Sequence, residues 1–213
     1  MDTYIARTVL TQKEPPELYD LVGPALESSE MRDLLVEGCF AKNETYRYNC
    51  VRVFFRALEQ QPALFYHYWE CFAGMIASPN SFYRSIVAQA VAFLTAADDD
   101  RRLDAILDTY LHMLDDEKIM VARYFVQSIH LIPEARPELR EKIIACLLEV
   151  ENTRHNASRK SLLKADIIGV FERLFDSLSA HEKKEALAFA ENEQDSESPS
   201  TRKAAKTFVE KHQ

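Results

Sequence analysis

A five-residue segment that ends in Tyr-Arg occurs twice in the first half of the chain, and it constrains the fold more than any other feature. Residues 43–47 read Asn-Glu-Thr-Tyr-Arg and residues 80–84 read Asn-Ser-Phe-Tyr-Arg, so the two copies lie 37 positions apart. A long apolar segment follows each copy. Because Asn is a preferred N-cap residue, each copy predicts the start of a helix. Such helices are only marginally stable in isolation, so they must bury their apolar faces against neighbouring helices.

Looser copies of the same arrangement continue along the chain. They begin at Asp115, at Asn156 and near Ser198, with spacings that drift from about 34 to about 43 residues. The chain is therefore predicted to contain about five antiparallel helix pairs. The predicted first helices lie near 29–42, 61–77, 100–114, 136–152 and 180–192, and the second helices near 44–60, 81–97, 117–132, 159–178 and 200–212.

We interpret the chain as one domain, 1–213, built from these pairs. Residues 1–28 are predicted to form an N-terminal segment and a capping helix. Within them, residues 1–13 show little pattern, and Pro15-Pro16 opens a short helix through Ala25. The predicted repeats are 29–60, 61–97, 98–133, 134–178 and 179–213.

The composition favours an all-α protein. Only four residues are Gly, fewer than the tight hairpins of a β-sheet would need. Apolar runs are far shorter than the ~18–20 residues that cross a bilayer, and no N-terminal secretory signal is visible, so we expect no membrane association. The four cysteines form no CxxC pair and lie in apolar helical patterns, which predicts buried thiols in a reducing cytoplasm.

The polar turn followed by an Arg-bearing second helix resembles the HEAT repeat, over roughly residues 29–213. The later copies lack the Tyr, and a tetratricopeptide pattern with its strict period is not found. The resemblance to HEAT/armadillo-type repeats implies a right-handed α-solenoid, a superhelix in which neighbouring pairs supply each other's missing apolar contacts. It also implies that the second helices line the concave face.

Charge is distributed unevenly between the predicted helices. The chain has a net charge of −8, yet the second helices carry fourteen cations against seven carboxylates. The remainder of the chain is correspondingly acidic. This asymmetry predicts a basic concave face, which would receive an acidic peptide, a phosphorylated segment or a nucleic-acid backbone.

Two interpretations of these cations stay open. One cation after each turn could contact a neighbouring turn, in a ladder formed by Arg47, Arg84, Lys118, Arg159 and Arg202. Without these five, nine cations face seven carboxylates. Under the other interpretation, polar residues of the second helices form a partner-binding groove. The candidate binding residues are Arg52, Arg56, Gln89, Arg123, Gln127, His130, Lys164, Arg173 and Lys206.

The sequence predicts a non-enzymatic scaffold or adaptor that binds a protein or peptide and uses no catalytic residue, metal or cofactor. Nucleophile-elbow, P-loop, dinucleotide-binding and HExxH patterns are absent, and six scattered His residues show no ligand spacing. An alternative is a nucleic-acid-binding protein of the alkylpurine DNA glycosylase type, which the chain resembles in architecture only. The catalytic residues of that family find no match, and Trp69 lies on a first helix. The oligomeric state stays open, since terminal pairs could stack end to end.

Two further features have both a structural and a functional interpretation. In the aromatic segment 64–72, one stripe contains Leu64, Tyr68, Phe72 and Ile76, and Phe65, Trp69 and Phe72 lie beside it, which is typical of a core. Tyr66 points elsewhere, so this helix is either covered by the N-terminal helix around residues 18–26 or forms an exposed partner patch. Asp166 lies among apolar residues. We expect it to bond a neighbouring helix end, with a catalytic carboxylate as the alternative.

Overall fold

A computed structural model describes residues 3–213, and within them the protein is all helical, as predicted, with no strand. None of the described helices is both long enough and apolar enough to cross a membrane. Short 3-10 segments adjoin several of the α-helices. The α-helices are α1 (Thr3–Leu10), α2 (Val22–Glu27), α3 (Ser29–Cys39), α4 (Glu44–Gln60), α5 (Trp69–Ala73), α6 (Ser81–Leu94), α7 (Leu103–Leu111), α8 (Ile119–Ser128), α9 (Leu131–Ala135), α10 (Arg140–Leu148), α11 (Ala157–Leu174), α12 (Ala180–Asn192) and α13 (Pro199–His212).

The second helices lie close to their predicted positions, whereas the first helices are less regular than predicted. α4 occupies Glu44–Gln60, as expected from the first copy of the turn. The segment predicted as one helix at 61–77 is instead a 3-10 helix, Pro62–Tyr68, followed by the five-residue α5 and a series of turns. One second helix also departs from its predicted length: the helix predicted at 117–132 ends early, since α8 stops at Ser128 and α9 begins at Leu131.

The N-terminal segment is more regular than its sequence pattern predicts. Although residues 1–13 show little pattern, residues 3–10 form α1. Asn49 of α4, which is 2% exposed, donates from its amide to the carbonyls of Leu10 and Gln12 at 3.0 and 2.8 Å. Carbonyls at the end of a helix have no partner within that helix. The buried amide therefore fixes the end of α1 on α4.

Polar caps begin the second helices at the repeated turn. The side-chain oxygens of Asn43, Asn80 and Asn156 accept hydrogen bonds from first-turn backbone N–H groups at 2.9, 3.0 and 3.0 Å. The hydroxyl of Ser198 caps α13 in the same way at 3.4 Å. Each cap satisfies an N–H group that the helix leaves open and contributes about 1 kcal/mol. The turn residues thus mark four of the five predicted starts, whereas α8 begins after Lys118 without a side-chain cap.

The chain divides into two compact units, 1–100 and 101–213, which we describe separately. In the described part of unit 1, α4 is central and packs against α1, α2, α3 and α6. In unit 2, α11 packs against both α8 and α13. The largest buried side chains are Phe54, Phe65, Trp69 and Phe72 in unit 1, and Tyr110, Phe125, Phe171 and Phe208 in unit 2.

Side chains form hydrogen bonds to residues far away in the sequence within each unit. In unit 1, the Tyr83 hydroxyl donates to the carbonyl of Phe40 at 2.8 Å, 43 positions away. In unit 2, the Arg123 guanidinium donates to Asp166, also 43 positions away. Helices that lie far apart in the sequence are therefore joined by polar as well as apolar contacts within each unit. Further pairs, 32–42 positions apart, are Tyr66–Asp98, Tyr68–Asp33, Arg136–Asp104, Arg140–Glu182, Lys142–Asp108 and Arg154–Asp115.

The cation that follows the turn closes its own turn at three of the five predicted positions. Nη1 of Arg47, Arg84 and Arg202 donates to the carbonyl six positions earlier, at 2.8, 2.7 and 2.5 Å. Contact with the next turn also occurs at Arg47, whose guanidinium lies 4.6 Å from the centre of the Phe82 ring. At these three positions, the guanidinium bonds a carbonyl of its own turn, whereas the sequence predicted contact with a neighbouring turn.

Candidate partner-binding surface

Two tyrosines and two arginines form one surface cluster in unit 1, which we call the tyrosine–arginine patch (Tyr19, Tyr48, Arg52, Arg56). The Nε and Nη2 atoms of Arg52 both donate to the Tyr19 hydroxyl, at 3.1 and 2.9 Å. The Arg52 guanidinium also lies 5.1 Å from the centre of the Tyr19 ring and 5.5 Å from that of Tyr48. The guanidinium of Arg56 is 5.9 Å from the Tyr19 ring. Cation–π attraction therefore gathers both arginines at one ring.

Helical spacing places three members of the patch on one face of α4. Tyr48, Arg52 and Arg56 follow each other at intervals of four residues, so they lie along one stripe of the helix. The opposite face of α4 packs into the core of unit 1. Tyr19 comes from the 3-10 segment Leu18–Leu21, whose first and last residues are each 1% exposed. Burial of these two leucines holds the Tyr19 backbone against the α4 stripe.

The patch is open to solvent. Tyr19 and Tyr48 are 45% and 57% exposed, so both rings are accessible from solvent. Arg56 pairs with Glu59 at 3.2 Å, but their side chains are 61% and 55% exposed, so solvent screens the pair. Tyr48 also lines an adjoining cavity of about 480 Å³, together with Lys13, Glu44 and Arg47. A partner could therefore contact the cations and the rings at the same time.

Gln89, the third candidate of unit 1, lies on α6. Its Nε2 donates to the carbonyl of Ser85 one turn earlier, at 3.0 Å. The side chain is half-buried. The amide thus lies along its own helix, and its proposed role in partner binding stays a prediction.

Arg123 and Gln127 of unit 2 converge on one carboxylate. Arg123 donates from Nε to Oδ2 of Asp166 at 2.7 Å and from Nη2 to Oδ1 at 3.1 Å, and the Gln127 amide donates to Oδ1 at 3.0 Å. The hydrogen bond to Asp166 raises the pKa of Arg123 above its usual range. Asp166 thus bonds side chains of α8 rather than the expected helix end. Its three hydrogen bonds join α8 to α11.

Lys164 is also held by carboxylates. Its Nζ lies 2.5 Å from Oε1 of Glu193 and forms a second, shorter ion pair with Glu151. Burial alone would lower the pKa of Lys164, but the hydrogen bonds to the two glutamates outweigh burial and raise it. Two negative charges surround this one cation. Lys164 therefore adds no net positive charge to the surface of unit 2.

His130, Arg173 and Lys206 differ in the charge that they can offer. Burial, followed by the nearby charge of Arg173, lowers the pKa of His130 to about 4, so this ring is neutral near pH 7. Its Nδ1 is buried and has no hydrogen-bond partner among the described residues. Arg173 and Lys206 are exposed, and neither forms an ion pair within the described part of the chain. Only these two of the six unit 2 candidates are unpaired cations at neutral pH.

Sequence reasoning missed the two tyrosines of the patch. A signal for Tyr48 exists, since it precedes Arg52 by one helical turn. Tyr19 offers no comparable signal, because it belongs to the N-terminal segment, which copies no repeat. Its approach to α4 depends on how that segment packs.

The aromatic segment is mainly core. Phe65, Trp69 and Phe72 are 0%, 2% and 0% exposed. Leu64 and Tyr68, on the predicted stripe, are only half-buried. The core face is therefore displaced from the predicted stripe, because much of this segment is a 3-10 helix with three residues per turn.

Neither a metal-binding cluster nor a known relative is found for the described part of the chain. In residues 3–213, no group of three or more His, Cys, Asp or Glu side chains is arranged to hold a metal ion. A comparison of the chain with protein-family models, curated proteins and solved structures finds no match.

Proposed function

We propose that this protein is a non-enzymatic scaffold or adaptor of the HEAT/armadillo type, with about five helix pairs, that binds an acidic or phosphorylated partner in the cytoplasm. Support for a repeat comes from the capped turns and from the polar contacts that join residues about one repeat apart. A right-handed solenoid with a concave basic face is the finer part of the same proposal. Buried Cys39 and Cys50, both free thiols, fit a reducing compartment. The prediction of four buried thiols is wrong for Cys71, which is exposed, and Cys146 is half-buried.

The tyrosine–arginine patch carries the binding proposal. It presents two predicted binding cations, the half-buried Arg52 and the exposed Arg56, on one stripe of α4, and neither is enclosed by carboxylates. Exposed tyrosines and arginines are the residues that contribute most to protein interfaces. In unit 2, by contrast, Arg123 and Lys164 are already paired. We therefore place the main contact with the partner on α4, with Arg173 and Lys206 as secondary candidates.

The nucleic-acid alternative has less support. Trp69, the single Trp, is 2% exposed and cannot stack on a base. The net charge of −8 repels a polyanion. A DNA-binding function would also require several phosphate contacts and a steep loss of affinity with salt.

Affinity capture from the native cell tests the proposal. The bait is the wild-type chain, the double variant Arg52→Glu/Arg56→Glu, or the control Lys42→Glu/Lys203→Glu, which changes the net charge equally at exposed sites outside the patch. We expect a partner with an acidic or phosphorylated segment, captured by the wild type and the control and lost with the patch variant. Equal capture by all three baits would contradict the assignment. Thermal unfolding of each bait checks that the fold is intact.

A further inference from the structure

We propose that the tyrosine–arginine patch recognises a phosphorylated side chain of a partner protein, with Arg52 and Arg56 as phosphate ligands and the Tyr19 hydroxyl as the group that the phosphate displaces. This inference rests on the function proposed above and specifies its ligand.

The contact between Arg52 and Tyr19 has the form of an incomplete anion site. Nε and Nη2 of Arg52 both point at one phenol oxygen, at 3.1 and 2.9 Å. These two donors form the planar fork that pairs with two oxygens of a carboxylate or phosphate. A phenol supplies one neutral oxygen to this fork. A bidentate, charged acceptor binds about twice as strongly, so an oxyanion would replace the hydroxyl.

The number of cations favours a phosphate over a carboxylate. Both guanidiniums lie within 6 Å of the centre of the same ring, at 5.1 Å for Arg52 and 5.9 Å for Arg56. A phosphomonoester carries about −1.5 to −2 charges near neutral pH, whereas a carboxylate carries one. Glu59 is the carboxylate paired with Arg56, and that pair is largely exposed. Such pairs contribute little, so a dianion can outcompete Glu59.

The free protein already holds Arg52 in a binding position. Its guanidinium lies near the rings of both Tyr19 and Tyr48, which limits the side-chain freedom that binding would otherwise remove. Displacement of the hydroxyl needs only a rotation of the exposed Tyr19 side chain, because buried Leu18 and Leu21 anchor the segment. Tyr48 remains available to contact a neighbouring side chain of the ligand.

A single phosphate on a peptide fits this surface better than a nucleic acid. Charges in solution act over roughly 8 Å at physiological ionic strength, so one phosphate feels mainly the two local arginines. A longer polyanion would extend over the rest of an acidic chain with a net charge of −8. The patch offers two cations, too few for the several phosphate contacts of tight nucleic-acid binding.

Fluorescence polarisation with degenerate peptide libraries tests the inference on the full chain. The probes are dye-labelled libraries centred on phosphoserine, serine or glutamate, together with a labelled single-stranded DNA. We expect the phosphoserine library to bind at least about tenfold more tightly than the other two libraries, which corresponds to about 1.4 kcal/mol.

Three variants separate phosphate recognition from a structural role. Arg52→Lys keeps the charge and loses the fork, so binding of the phosphoserine library weakens about tenfold. Tyr19→Phe keeps the ring and removes the competing hydroxyl, so binding tightens by about threefold. Lys42→Ala removes an exposed cation elsewhere in unit 1 and leaves affinity unchanged. A weakened Tyr19→Phe variant, or an unaffected Arg52→Lys variant, would overturn the displacement mechanism.

The other outcomes distinguish this inference from the general function. If glutamate and phosphoserine libraries bind equally and binding requires Arg52, the scaffold proposal stands and phosphate recognition is wrong. If no library binding depends on Arg52 or Arg56, both are wrong. Preferential binding of DNA, with a steep dependence on salt, would overturn both in favour of the nucleic-acid alternative.

Discussion

Arg52 in unit 1 and Arg123 in unit 2 use the same two donor atoms for different purposes. Nε and Nη2 of Arg123 bind two oxygens of the Asp166 carboxylate, whereas Nε and Nη2 of Arg52 bind one neutral hydroxyl. Both arginines lie on predicted second helices and both are half-buried. The acceptor decides the role: an anionic acceptor inside the protein makes the arginine structural, and a neutral one leaves its charge available to a partner.

The same contrast extends to neighbouring cations. Lys164 in unit 2 lies between Glu151 and Glu193, and the side chain is 15% exposed. Arg56 in unit 1 has one exposed carboxylate partner and is itself 61% exposed. Arg123 and Lys164 therefore join helices within unit 2, whereas Arg52 and Arg56 of unit 1 have no enclosing carboxylate. The predictions below test this division.

The largest effect is expected at Asp166. Asp166→Ala removes the acceptor of Arg123 and Gln127, and the side chains of the ion pair are only 12% and 30% exposed. An unpaired charge then remains partly buried, so the free energy of unfolding falls by about 2 kcal/mol. Urea denaturation measures this loss. Tyr19→Phe, which removes the corresponding acceptor of Arg52, serves as the control and changes stability by less than about 0.5 kcal/mol. Similar losses for both would remove the distinction between the two arginines.

Arg84 and Lys118 give a second comparison, in which the buried cation lies in unit 1 and the exposed one in unit 2. The two residues occupy corresponding positions after the second and third turns. Arg84 of unit 1 is 8% exposed and donates to the carbonyl of Ser78 at 2.7 Å. Lys118 of unit 2 is exposed and lies 3.9 Å from Glu117. We expect Arg84→Ala to lower the free energy of unfolding by about 1.5 kcal/mol and Lys118→Ala by less than about 0.5 kcal/mol. Thermal denaturation would contradict this if the two losses were equal.

His130 provides a pH-dependent test of unit 2. Burial and the charge of Arg173 lower its folded pKa to about 4, while an unfolded His titrates near 6.5. Between these values the unfolded state binds more protons, so stability falls as the pH drops. After allowance for solvent screening, we expect a loss of about 1 kcal/mol between pH 7 and pH 5.

The variant His130→Phe removes the titrating group and should flatten this dependence. Urea denaturation at several pH values in this range provides the measurement. An unchanged pH slope in the variant would show that other groups cause the loss. The interval lies above the range in which most carboxylates titrate. Burial also lowers the pKa of His155, so the variant should remove the part of the slope that His130 contributes and leave the part due to His155.

The sequence predicts the helices well because the residues that specify a helix, its cap and its apolar pattern, lie within or next to that helix. The cap at Asn43 and the apolar pattern after it are contained within α4, and the structure has both. The irregular segment after Pro62 was harder to predict, because 3-10 and α-helices share caps and apolar composition and differ in hydrogen-bond spacing. Helix α1 was missed since its contact with Asn49 joins residues 39 positions apart.

The candidate site was predictable as a set of cations but not as a surface. Counting charges on the second helices identifies Arg52, Arg123 and Lys164 alike, because sequence spacing gives the helix face and not the partner across the interface. Glu193, which pairs with Lys164, lies 29 positions away, and Tyr19, which contacts Arg52, lies 33 positions away. These pairings arise from packing between helices that are distant in the sequence. A charge excess read from sequence therefore overestimates the charge that a folded surface can offer.

The smallest effect on stability is expected at the exposed pair Arg56–Glu59. Solvent screens both side chains, so a double-mutant cycle of Arg56→Ala and Glu59→Ala should give a coupling of about 0.3 kcal/mol in urea denaturation. Binding should respond differently from stability. Arg56→Ala weakens binding of the phosphoserine library by at least about fivefold, whereas Glu59→Ala, which removes a competing anion, leaves it equal or tighter. A coupling above about 1 kcal/mol, or weaker binding with Glu59→Ala, would mean that Arg56 is held internally as Arg123 is, and the contrast between the two units would fail at this residue.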